Sequence, residues 1–305
     1  MVGQTQVRVP ASSANLGPGF DTLGLALGLY LRCRFQLATT DSIRATGRDA
    51  DRIPASKDNL ILQTARQVAS SQGRQLPPVA LEIENEIPVG KGFGSSAAAL
   101  VAGVVLADSA LDLNWDEHRL LDEAARIEGH PDNVSAAVLG SVTTAAIGDD
   151  GITRAVRLEV PRAFSVAAVC PDYELSTPSM RKALPSEYSR ADAVFNIQRA
   201  TLLVAALLKG DRDAFPVALE DRLHQPYRAP QVPGLDAILR LRIPGLLGCA
   251  LSGAGPAVLV FYETGSETAV EAVAREFQKV GCQPEAMFPD LDRTGLIVRK
   301  SGRRT

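Results

Sequence analysis

The chain has 305 residues, 46% of them hydrophobic and 22% charged, with a formal net charge of −3. That balance describes an ordinary globular protein with room for one large or two moderate domains, and it argues against a nucleic-acid-binding surface. Cys33, Cys170, Cys249 and Cys282 are scattered and form no CxxC pair, which favours free thiols in a reducing cytoplasm over disulfides or a zinc centre.

Residues 7–9 and about 23–38 read as strands, and Asn59 begins a helix with Ile61, Ala65 and Val68 on one face. An alternating strand over 79–87 leads into a glycine-rich run and a helix from Ala97 to Leu111. Asn114-Trp115-Asp116-Glu117 has capping-box spacing and predicts a helix reaching about Glu128. A short helix over 132–139 and a strand over 141–147 follow. A second half begins near residue 155, dividing the chain into 1–155 and 156–305. Its elements are a strand from Phe164 to Cys170, helices at about 178–184, 191–209, 211–223 and 234–242, a strand–turn–strand unit from Gly248 to Tyr262, a helix over 266–280 and a last strand from Gly295 to Arg299. Strands and helices mix without strict alternation, so the fold class is α+β. The first residues lack a signal-peptide core, and Gly and polar residues break the apolar stretches before membrane-spanning length, which predicts a cytoplasmic location and no membrane partner. The basic tail from Arg299 to Arg304 reads as a solvated end.

The most informative stretch is Pro88-Val89-Gly90-Lys91-Gly92-Phe93-Gly94-Ser95-Ser96-Ala97. Alternate glycines let the backbone turn tightly with its N–H groups converging, and a helix start adds unpaired donors and partial positive charge, so the segment suits a phosphate. A glycine-rich turn before a core helix is the plain alternative; the length of the pattern, the strand before it and the helix after it favour phosphate binding. The run lacks the Lys-Ser/Thr ending of a Walker A loop, so Lys91 is not given that lysine's role.

Two other stretches accompany it: Pro10-Ala11-Ser12-Ser13-Ala14-Asn15-Leu16-Gly17-Pro18-Gly19-Phe20-Asp21 and Leu251-Ser252-Gly253-Ala254-Gly255-Pro256-Ala257. Singly, each is a polar turn; in this order they resemble the three signature motifs of the GHMP small-molecule kinases. Within that superfamily the chain resembles the bacterial homoserine kinases over essentially its whole length. The likeness rests on Ala14 to Asp21, on Glu128-Gly129-His130-Pro131-Asp132-Asn133, on Leu175-Ser176-Thr177 with Arg181, and on Asp221-Arg222-Leu223-His224-Gln225-Pro226-Tyr227-Arg228. Departures are Phe93 for a commoner leucine and Ser135-Ala136-Ala137 for Ala-Pro-Ala. The resemblance implies the GHMP kinase fold: an N-terminal half like domain 2 of ribosomal protein S5 and a ferredoxin-like C-terminal half. It also implies a homodimer and ATP-dependent phosphorylation of L-homoserine, a step of threonine biosynthesis, with Mg²⁺.

Phosphoryl transfer is catalysed mostly by positioning and electrostatic stabilisation. ATP would lie on Pro88, Gly90, Lys91, Gly92, Phe93, Gly94, Ser95, Ser96 and Ala97. By resemblance Ser96 and Glu128 would hold Mg²⁺, with Asp122 and Glu123 as rival carboxylates one to two turns earlier. Homoserine is a zwitterion; Arg181 and Arg228 are the candidates for its carboxylate, and Asn15 and Asp21 for its amino end, unless they serve an Asx-type turn. Thr177 either caps its short helix or meets ATP and substrate. His130 is read as a substrate contact rather than a general base, with Ser252 and Gly253 closing the site, and His224 as a structural histidine. Asn133 stands where several sister kinases carry a proposed aspartate base; an amide takes no proton at neutral pH, but it holds the hydroxyl in line. Asp132 reads as a helix N-cap. A GHMP kinase for another small alcohol is the nearest alternative; a catalytically silent ligand-binding member would have lost loop glycines or serines, which this chain retains.

Overall fold

The computed structural model describes residues 4–300; the first three residues and residues 301–305 of the basic tail lie outside the description. The chain opens with β1 (Thr5–Ala14), β2 (Leu23–Leu37), β3 (Ser42–Gly47), α1 (Leu60–Ser71) and β4 (Val79–Asn85). It continues with α2 (Ser95–Leu111), α3 (Glu117–Glu128), α4 (Asp132–Leu139), β5 (Val142–Ile147) and β6 (Thr153–Leu158). The fifteen-residue β2 is the spine of the first sheet. Its Leu31–Leu37 end pairs with β4 and its Leu23–Leu25 end pairs with β5, both antiparallel to it. Helix α2 is apolar on every side, as a helix buried in a core must be, and twelve of its 17 residues are buried. Asn59 caps α1 by accepting from the N–H groups of Ile61 and Leu62. The capping box expected from Asn114 does not form. Asn114 is left-handed (φ 58°), and Asp116 caps α3 by accepting from Arg119 N at 2.8 Å.

The second half contains β7 (Ser165–Cys170), α5 (Thr177–Lys182), α6 (Arg190–Lys209), α7 (Phe215–Ala218), α8 (Gln225–Arg228), α9 (Leu235–Leu239), β8 (Leu246–Leu251), β9 (Val258–Tyr262), α10 (Thr268–Lys279), β10 (Glu285–Met287) and β11 (Ile297–Lys300). Its sheet is antiparallel in the order β10-β7-β9-β8, the fourth, first, third and second strands of a βαββαβ unit, as in a ferredoxin-like fold. One face packs Val169, Leu251 and Val260 against Val273 and Phe277 of α10. The other joins the core of the first half through Phe164, Phe215 and Phe261, whose ring centroids lie 5.1–5.8 Å apart.

Three expectations change here. A division at 155/156 falls inside β6, which pairs with β5, and β11 returns to pair with β1, so the first sheet is completed by the end of the described chain. The helix expected over 211–223 is reduced to a 3₁₀ turn and α7, because Asp221 takes the N–H groups of Leu223, His224 and Gln225 for its own carboxylate. Contrary to the reading of broken apolar stretches, α6 is by length and composition apolar enough to cross a membrane; it buries Asn196, however, and pairs Arg199 with Glu220 at 3.0 Å.

Candidate active site

The loop between β4 and α2 turns on glycine. Gly90, Gly92 and Gly94 sit at φ 75°, 89° and 65°, where a side chain is strained. A Cβ on Gly92 would run into Ser252 O and one on Gly94 into Ser12 Oγ, so the loop packs against both other motifs. Gly94 is the N-cap of α2 and brings no side-chain cap. The first N–H groups of α2 are thus left with the donors and partial positive charge of a helix start. Ser95, Ser96 and Ala97 line a cavity of about 120 Å³ together with Pro88, Gly90 and Gly94. Neither serine hydroxyl has a hydrogen-bond partner among the described residues. Phe93 contributes packing, being 1% exposed, while its carbonyl accepts from Ser12 N at 3.0 Å. Lys91 departs from the expected set: its ammonium donates to Pro171 O (3.0 Å) and Tyr173 O (2.7 Å), away from the loop's concave side.

The far end of the cavity is charged. Arg228 is 2% exposed, yet it forms no ion pair with any described residue. Its Nη1 donates to Gly253 O at 3.0 Å, its Nε to Met180 O at 3.4 Å, and burial pulls the guanidinium below its usual pKa. Arg181 and Asp21, expected to grip opposite ends of the acceptor, hold each other in a two-pronged pair at 2.7 and 3.1 Å. Asn15 donates to Gly253 O (3.1 Å) and accepts from Asp21 N (3.1 Å), so its amide is committed to the turn. Ser252 does not line the cavity; its hydroxyl bonds Gly92 O at 2.6 Å and Ser13 Oγ at 2.8 Å and fastens the third motif to the other two. Gly253 and Thr177 do line it. Ser176, not Thr177, caps α5, which leaves the threonine hydroxyl to the cavity.

Between these ends stand Glu128, His130, Asp132 and Asn133. Burial pushes Glu128 above the usual carboxylate range. For His130 burial acts downward, but the hydrogen bond to Asp132 (2.8 Å) and the charges of Asp132 and Glu128 outweigh it and raise the pKa. Asp132 is the first residue of α4 rather than its N-cap, which is Pro131; its carboxylate accepts from Asn133 N at 2.7 Å. Ser12 Oγ donates to Asn133 Oδ1 at 2.9 Å, fixing an amide whose nitrogen has no partner among the described residues. Of the rival carboxylates, Glu123 is 1% exposed and bound by Arg119 and Arg126, and Asp122 accepts from Thr153 N and Arg119. Glu128 alone of the three faces the cavity. Asp21, His130 and Asp132 also place ligand atoms within 4.8 Å of one another, but Arg181 already neutralises Asp21 and Asp132 is bonded to His130, so this cluster is a hydrogen-bonded acid–base group rather than a cation cage.

Sequence reading did not single out Ser12, Phe20 or the Arg52–Glu174 pair (2.6 Å) beside Gly90. Ser12 and Phe20 lay inside a quoted motif; Arg52 and Glu174 carry no local pattern.

Comparison with known proteins agrees with this geometry. The family described as GHMP kinases N terminal domain matches residues 59–141, and that described as GHMP kinases C terminal matches residues 203–281. A homoserine kinase of Solibacter usitatus (strain Ellin6076) is 61% identical over 295 residues, 97% of either chain, and one of Deinococcus radiodurans is 47% identical over 96% of either. The crystal structure of homoserine kinase from Cytophaga hutchinsonii superposes with a TM-score of 0.83 at 25% identity, covering 97% of both chains. The fold and the three converging motifs are those of a GHMP kinase. Within that class, the chain belongs to the homoserine kinase family.

Proposed function

We infer that the chain transfers the γ-phosphoryl group of ATP to the side-chain hydroxyl of L-homoserine, giving O-phospho-L-homoserine and ADP. The observation that carries this reading is the cavity's two-ended chemistry: uncapped helix donors and unpartnered serine hydroxyls at one end, and a buried Arg228 lacking a carboxylate at the other. A neighbouring apolar cleft of about 230 Å³, lined by Ile53, Pro54, Leu60 and Ala99, shares Gly90, Ser95 and Ser96 with it and suits a purine base.

The hydroxyl oxygen bonds to the γ-phosphorus as the bond to the β,γ-bridging oxygen breaks, and ADP leaves. Asn133 orients the hydroxyl, and its proton passes to phosphate or solvent. Asp132 is held by His130 and Asn133 N, which argues against it as the base. The α2 terminus contributes about 0.3–2 kcal/mol to a bound anion, too little to neutralise a triphosphate. Hard oxygen donors suit Mg²⁺, and Ser96 and Glu128 fit it: one hydroxyl is unpartnered and the carboxylate is not taken by an arginine. When bound, Mg²⁺ would supply the remaining charge neutralisation. Arg228 would take the substrate carboxylate, and Asp21, shared with Arg181, its ammonium. We place the reaction in threonine biosynthesis in the cytoplasm, in a homodimer. The exposed Val194, Ile197, Leu202 and Leu208 of α6 support self-association.

ADP release measured with homoserine, threonine, mevalonate and shikimate tests the reading. Turnover with homoserine at the highest kcat/KM is expected; preference for another alcohol, or nucleotide binding without turnover, overturns it.

A further inference from the structure

We propose that His224 is a positioning residue for the acceptor site, setting the Arg228 guanidinium against the loop that carries Asn15 and Asp21. The inference rests on the reading of Arg228 as the acceptor's carboxylate partner.

His224 is fully buried, and its two ring nitrogens reach different parts of the molecule. Nε2 lies 2.7 Å from Gly17 O, and Nδ1 lies 3.2 Å from Arg228 Nη1. A carbonyl only accepts and a guanidinium only donates. The partners therefore fix one neutral tautomer, with Nε2–H donating to Gly17 and Nδ1 accepting from Arg228. A protonated ring would have no acceptor to offer Arg228. Burial holds His224 below its usual pKa, consistent with the neutral form.

Neighbouring contacts have the same sense. Phe20, from the first motif, stacks on the imidazole with centroids 5.4 Å apart and rings inclined by 26°. The same ring lies 5.4 Å from the Arg228 guanidinium carbon and 5.7 Å from that of Arg181. Asn196 bridges Pro18 O and Asp221 Oδ1, and Asp221 in turn gathers the N–H groups of residues 223–225. Helix α8, which carries Arg228, is four residues long, too short to hold a side chain by its own hydrogen bonds. The brace supplies what the helix lacks. A buried structural histidine would need partners but would have no reason to choose the guanidinium that faces the acceptor.

The test is steady-state kinetics of the full chain with His224→Phe and His224→Gln. Phenylalanine keeps the stacking surface and loses both hydrogen bonds; glutamine keeps one donor and one acceptor. His224→Phe should raise the homoserine KM by at least about tenfold, with kcat and the ATP KM within about threefold of the parent. His224→Gln should restore the homoserine KM to within about threefold, and His224→Phe should add little to Arg228→Leu, because it acts through that residue. An unchanged homoserine KM in His224→Phe, or an equal rise in both KM values, overturns the proposal. If His224→Phe does not fold, His224→Gln decides: a rise of about tenfold or more overturns it. Failure of the parent enzyme to phosphorylate homoserine would instead sink the reading of the site as a whole.

Discussion

Arg228 carries its charge where water is largely excluded, with backbone carbonyls and an imidazole for company. A carboxylate arriving there gains a charge-assisted, two-pronged contact in a low-dielectric setting. Arg228→Leu should therefore raise the homoserine KM about thirtyfold or more while leaving the ATP KM nearly unchanged, as initial-rate kinetics would show. Ser96→Ala removes a free hydroxyl beside the α2 terminus and should lower kcat by at least about tenfold, read in the same assay. The thiols make a different prediction. Burial pushes Cys33 and Cys249 up to about 12 and Cys170 to about 11. Raised values disfavour the thiolate at any pH below them. Burial and Asp172 raise Cys282 as well, but it alone of the four is partly exposed, so alkylation of the native protein at pH 8 should mark Cys282 first and spare the other three until unfolding, as peptide mass spectrometry would reveal. Residue identities at the site were largely legible because the motifs carried them. Their states were not: that Arg181 and Asp21 neutralise each other, or that Lys91 points at carbonyls, depends on chain segments up to 160 residues apart.

The glycine loop and α2 were readable as elements, because alternate glycines mark a tight turn and an all-apolar helix demands a core. Gly94 combines φ 65° with a Cβ position blocked by Ser12; Gly73 has φ 65° with open space around it. Gly73→Ala should cost about 1–2 kcal/mol for backbone strain alone, and Gly94→Ala more than about 3 kcal/mol together with loss of nucleotide affinity. Chemical denaturation and nucleotide titration would separate the two. The strands that sequence missed share a cause. β3 (SIRATG) and β10 (EAM) have no buried residue and β6 (TRAVRL) has two. Main-chain pairing to β4, β5 and β7 defines them, and the alternation of β3, whose Ile43 and Ala45 are only half-buried, is too short and weak to stand out from a loop. The expected strand over 7–9 runs to Ala14 because Ala11, Ser12, Ser13 and Ala14 are buried small residues beneath the helices, which do not alternate.

Across the whole molecule, the loop after β7 is strapped to the glycine loop by Lys91 and by the Arg52–Glu174 pair. That loop leads into α5 with Thr177 and Arg181, so Lys91 couples the nucleotide and acceptor ends mechanically. Lys91→Met should lower turnover by about tenfold or less, with both KM values raised. A loss of about a thousandfold in kcat would instead mark a phosphate contact.

The first sheet has a further consequence. Thr5 of β1 lies opposite both Phe35 of β2 and Lys300 of β11, and Lys300 reaches Asp108 of α2 at 3.4 Å. A nascent chain emerging from the ribosome thus exposes one unpaired edge of its first-made sheet until β11 is synthesised. The first sheet is therefore completed only after the intervening ferredoxin-like unit has been made, and that unit is topologically an insertion. Because β1 and β11 are neighbours, a permuted chain that links Lys300 to Thr5 and opens at the exposed turn around Asp149 and Asp150 would keep every strand pairing of the first sheet.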